Sequence, residues 1–121
     1  MDAIEYLTRK QGLFGELLGT TEDMARAASA MDLERIESLQ DRRDSIIRNI
    51  QSLDDQSDFR PDAPHSPQVV ILAHALRETV RKISDLNDGL KINLLNKAQT
   101  MDSDAKQAAA ARKYVRAGAL G

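Results

Sequence analysis

The sequence predicts an all-α fold: an elongated antiparallel three-helix bundle of coiled-coil character, with a long third helix and the option of a short C-terminal one. Three observations carry this. Apolar residues recur at alternating spacings of three and four over three long stretches, the mark of a helical seam. All three prolines, Pro61, Pro64 and Pro67, fall within one short window where no helix continues. A chain of 121 residues without cysteine has length for one ordinary core and no means of stapling a smaller one, so residues 1–121 read as a single helical domain.

In the first helix, about residues 2–29, the seam runs Ile4, Leu7, Phe14, Leu18, Ala25 and Ala28, with Gln11 and Thr21 in the intervening turns. Gly12, Gly15 and Gly19 lie along one side of it, each weakening the helix by up to about 1 kcal/mol relative to alanine. Close approach by a neighbouring helix accounts for them, and so does simple tolerance by packing. The second helix, about 32–54, opens on Asp32 as N-cap and carries Ile36, Leu39, Arg43, Ile46, Ile50 and Leu53 in phase. Arg43 interrupts that seam, and the plain reading is a packed stem with its head in solvent or on a carboxylate.

Residues 55–66 read as a loop, after which Pro67 suits a helix's first turn. The third helix, about 67–101, follows Val69, Ala73, Leu76, Val80, Ile83, Asn87, Leu90, Leu94, Lys97 and Met101. Asn87-Asp88-Gly89 is a turn signal, but the apolar phase is the same before and after it, so a continuous helix is predicted. Beyond Met101 the helix either continues or is capped by Asp102-Ser103-Asp104 into a shorter one over 105–116.

Charge and motifs exclude most functions. A net charge of −2 argues against a nucleic-acid binder. No apolar run approaches the roughly 18 residues of a membrane span, and Met1-Asp2-Ala3-Ile4-Glu5 does not start a signal peptide, which together predict a cytoplasmic protein without membrane insertion. Residues 1–54 hold 7 basic and 11 acidic side chains, and residues 67–121 hold 9 and 5. The plain reading of these opposite signs is complementarity between packed helices; a basic partner-binding arm is the sharper one. There is no phosphate loop, zinc-binding helix motif or nucleophile elbow, and His65 and His74 do not share a helical face. No enzyme, metal site or cofactor is expected.

Length adds an argument. At 1.5 Å per residue the first two helices span roughly 35 to 40 Å, whereas a third helix drawn to Tyr114 spans roughly 70 Å. The pair covers about half of it, leaving Leu90, Leu94, Leu95, Ala98, Met101 and Ala108 to a partner, a second copy in a homodimer, or the chain's own tail.

Two resemblances bear on function. Ala73-His74-Ala75-Leu76-Arg77 resembles the histidine motif of phosphotransfer domains, over five residues only, with Glu78 where that family keeps a small residue. The whole layout resembles the FlgN-type flagellar export chaperones, with FliT-type relatives close behind. The residues that carry it are Asp32-Leu33-Glu34-Arg35-Ile36, Arg43, Ile46-Ile47, Leu86-Asn87, Leu94-Leu95, and Tyr114 before a glycine-containing tail. That resemblance implies a cytoplasmic chaperone that binds the C-terminal helical segment of hook-associated or filament cap proteins and prevents premature polymerisation. It implies a client on Leu90, Leu94, Leu95, Ala98 and Met101, and Tyr114 docking on the cytoplasmic domain of the export gate. The reading from a different class is a clientless coiled-coil oligomerisation module.

Overall fold

The computed structural model describes the backbone of residues 1–100 and the side chains of residues 1–96. It is an all-α, three-helix arrangement: α1 (Ala3–Ser29), α2 (Leu33–Asp55) and α3 (Pro67–Thr100). The expected segment 105–116 lies outside the described residues, as do Met101, Ala108 and Tyr114. No helix among those described is long and apolar enough to cross a membrane.

Local chemistry sets each boundary. The Asp2 carboxylate accepts from the Glu5 backbone N–H at 2.7 Å and starts α1. At its other end the Met31 N–H bonds the Ala28 carbonyl at 3.0 Å and the Asp32 N–H the Ala27 carbonyl at 2.9 Å, the paired bonds of a Schellman stop. Met31 takes the left-handed position (φ 53°) that glycine usually fills, a cost of about 1–2 kcal/mol. Its side chain packs with Leu33 on the adjoining core, which offsets that strain. The Asp32 carboxylate then accepts from the Arg35 N–H at 3.1 Å, opening α2. The Ser66 hydroxyl accepts from the Val69 N–H at 3.3 Å and caps α3, with Pro67 as its first residue. α3 passes through Asn87-Asp88-Gly89 without a break, because the buried face is continuous across it.

The core has three layers. Tyr6, Leu7, Leu53 and Val69 form one end; Leu17, Ile46, Ile50 and Ile83 the middle; Met24, Ala28, Ile36, Leu39, Leu90 and Leu94 the other end. This pairing makes α2 antiparallel to both neighbours and α1 parallel to α3. Both α2 and α3 pack closely on α1, yet among the described residues no Cα of α2 comes within 8 Å of a Cα of α3. α1 is the shared helix.

Several expectations are corrected by that arrangement. The α1 seam is wider than one stripe: Tyr6, Leu17, Thr20, Met24 and Ala27 are buried as well, because α1 faces two helices, while Ile4 is exposed. A Cβ built on Gly12, Gly15 or Gly19 meets nothing within 4 Å, so no helix approaches closely there and tolerance is the account that remains. Thr79 replaces Val80 in the α3 seam, its hydroxyl accepting from Gln11 Nε2 at 2.9 Å and donating to the Ala75 carbonyl at 3.1 Å. Among the described residues the one inter-helical ion pair, Lys10–Asp54 at 2.9 Å, joins α1 to α2, and none reaches α3; five of the nine cations of residues 67–121 lie outside the described side chains.

Candidate binding surface

The expected client residues whose side chains are described separate into two groups. Leu90 and Leu94 are core, packed against Met24, Ala27, Ala28, Ile36 and Leu39, with Leu94 0% exposed. They are therefore not a free surface. α3 starts level with Tyr6 and Leu7 and runs parallel to α1, so it stays covered to the end of α1; halving a helix drawn to Tyr114 placed the limit about one turn too early. Leu95 is 39% exposed, and Ile92, one turn before it, is 59% exposed. The signal for Ile92 was its spacing of three from Leu95 on the face opposite the seam. Ala98 lies on α3 with its side chain outside the described residues, and Met101 and Tyr114 lie outside them altogether.

The geometry makes that end of α3 project. Asn93 Nδ2 donates to Ser29 Oγ at 3.4 Å, which marks the level at which α1 stops. From there α3 runs on to Thr100, about 10 Å further. α1 itself ends at Ser29, and the chain turns back into α2 at Leu33.

Next to this end lies a buried polar contact. Arg43, expected to reach solvent or a carboxylate, is instead 2% exposed, and its Nη1 donates to Asn87 Oδ1 at 3.0 Å and lies 3.9 Å from Met24 Sδ. Burial pulls its pKa down, with the Asp44 charge opposing that only in part. The Arg43 Nε has no hydrogen-bond partner. The chain thus ties α2 to α3 through a cation and an amide in the place where the two helices do not touch backbone to backbone.

The opposite end carries a second set of groups that sequence reasoning did not single out. Tyr6 Oη donates to Asp54 Oδ1 at 2.5 Å, and Lys10 Nζ donates to both, at 3.0 Å to the phenol and 2.9 Å to the carboxylate. Burial opposes ionisation of Asp54, but the two hydrogen bonds outweigh it and hold its carboxyl below the usual range. Burial likewise works against charged Lys10, which the phenol and the carboxylate nevertheless push up; Tyr6 is pushed up by burial first and by Asp54 second. Beside this trio is an open groove of about 370 Å³ with Leu7, Val69, Ala73 and Leu76 among its apolar lining and Lys10 and Arg77 as its full cations. Phe59 forms one wall, tilted against Tyr6 and stacked at 4.9 Å on His65, whose Nε2 meets the Arg60 carbonyl at 2.6 Å.

His74 is exposed on α3, and Glu78, one turn on, pairs with Arg81 at 3.8 Å. The two histidines stay apart, and no group of three His, Cys, Asp or Glu among the described residues is placed to hold a metal. Comparison of the chain with protein-family models, with curated proteins and with solved structures finds no match.

Proposed function

We propose that this protein is a binding module that acts as a type III flagellar export chaperone, holding the C-terminal helical segment of a hook-associated or filament cap protein. The single observation that carries this reading is the end of α3, which runs past the level at which α1 stops, with Leu95 exposed there and Ile92 exposed one turn before it. An amphipathic client helix laid there gains the apolar contact that α1 and α2 no longer supply. The mechanism is occlusion: the client's own polymerisation surface is buried against α3, in the cytoplasm, until export. Ala98 and Met101 extend the client surface, and Tyr114 serves the export gate.

The test uses purified hook–filament junction and cap proteins with the full chain and two variants. Leu95→Asp should remove binding and leave the circular dichroism and melting of the chain unchanged. Leu94→Asp should lose the fold itself, because it puts a carboxylate into a closed core at a cost of several kcal/mol. If the folded wild-type chain binds none of these proteins, the export reading falls; self-association sensitive to Leu95→Asp would then establish the oligomerisation module.

A further inference from the structure

A second surface lies at the other end of α3, and its argument does not rest on the export reading. Thr79 turns towards Gln11 of α1, and Asn87 turns towards Arg43 of α2. The edge of α3 on the Asn87 side therefore borders the gap that α2 leaves open. Val70, Ala73, Arg77 and Val80 follow each other along that edge at spacings of three, four and three, over about 15 Å. Val70 is 55% and Val80 41% exposed, and Val70, Ala73 and Arg77 line the apolar groove.

Charge identifies the occupant. The groove's other full cation, Lys10, is compensated by Asp54 and the Tyr6 phenol. Arg77 is exposed and forms no ion pair among the described residues, although Arg81 one turn on is matched by Glu78. No acid lines the groove. An uncompensated guanidinium at the centre of an aliphatic strip matches a chain that offers both aliphatic anchors and a carboxylate. A small carboxylate in the groove leaves Val80 in water; a helix spans the strip.

We infer that the Val70–Val80 edge of α3 is a docking site for an acidic amphipathic helix of a partner protein, whose aliphatic residues cover Val70, Ala73 and Val80 and whose Asp or Glu meets Arg77. The site is separate from the Leu95 end.

The experiment measures fluorescence anisotropy of a labelled helical peptide of about 15 residues, with leucines at three-four spacing flanked by glutamates, titrated with the full chain. A matched peptide has lysine for every glutamate. The glutamate peptide should bind saturably, and Arg77→Glu or Val80→Asp should weaken it about tenfold, a lost ion pair plus the new repulsion in the first case. Both positions are exposed, so circular dichroism and melting should not change. Arg77→Glu should at the same time improve the lysine peptide, a reversal that unfolding cannot produce. The proposal is overturned if the glutamate peptide does not bind, if both peptides bind wild type equally, or if Leu95→Asp rather than Arg77→Glu removes binding. Saturable octanoate binding without peptide binding would overturn it too, giving the groove to a small amphipathic carboxylate.

Discussion

Arg43 is a cation kept inside an apolar bundle with an amide, not a carboxylate, as its partner. Its desolvation is expensive and only partly returned by one hydrogen bond, so the contact specifies how α2 sits against α3 more than it stabilises. Asn87→Leu should cost about 2–4 kcal/mol in denaturant unfolding, because it strands the guanidinium. The double change Arg43→Met with Asn87→Leu should return to wild-type stability or exceed it. A double variant as unstable as Asn87→Leu alone would show that the pair holds the fold together. At the far end, Asp54 has its pKa lowered in the fold, so the stability it contributes is present above its unfolded value of about 3.9 and is lost as pH falls through the lower, folded one. Lys10 and Tyr6 have theirs raised, so their share is present below about 10 and is lost as pH rises through the folded values. A melting-temperature scan should therefore show a plateau between these limits. Asp54→Asn should flatten its acid edge, at a cost on the plateau of no more than about 1 kcal/mol because the carboxylate is half in water.

The three helices differ in how much of their packing was readable, and the difference follows from their neighbours. α2 rests on one helix at close range, so one stripe serves, and all six of its seam positions are buried. α1 serves two helices and buries a face too broad for one three-four series, which is why Tyr6, Leu17 and Met24 escaped it and Ile4 was wrongly included. In α3 the seam shifts by one residue at Thr79, where a polar partner from α1 makes threonine the better occupant than valine. The glycines of α1 have no packing role among the described residues. Gly12→Ala and Gly15→Ala should each raise stability by about 0.5–1 kcal/mol in thermal or urea unfolding, since the added methyl meets open space and the unfolded chain loses freedom. A loss on either substitution would mean that some other chain lies against that face in solution.

For the whole molecule, the governing quantity is the mismatch between α1 and α3. α1 stops at Ser29, opposite Asn93, and α3 continues to Thr100. Leu94, turned to the core, is 0% exposed, and Leu95, about 100° further round the helix, is 39% exposed. The paired aspartate substitutions at these two positions should therefore act in opposite ways, one on folding and one on binding. The charge asymmetry points the same way. Among the described residues Arg81 pairs with Glu78 of its own helix, while Arg77, Lys82 and Lys91 form no ion pair and remain available to acidic partners.

The sequence by itself determined the three described helices, their order, the proline loop, the Asp32 cap and the uninterrupted run through Asn87-Asp88-Gly89. These depend on local backbone chemistry and on a hydrophobic period, both of which are written in neighbouring residues. Only the tertiary structure decided which side of each helix is shared. It turned Leu90 and Leu94 from surface into core, drew the Arg43 head inward to Asn87, and left the Val70–Val80 edge open. Each of these depends on the relative placement of residues distant in the chain, and a periodic pattern records that a face is buried without recording against which helix or how far along it.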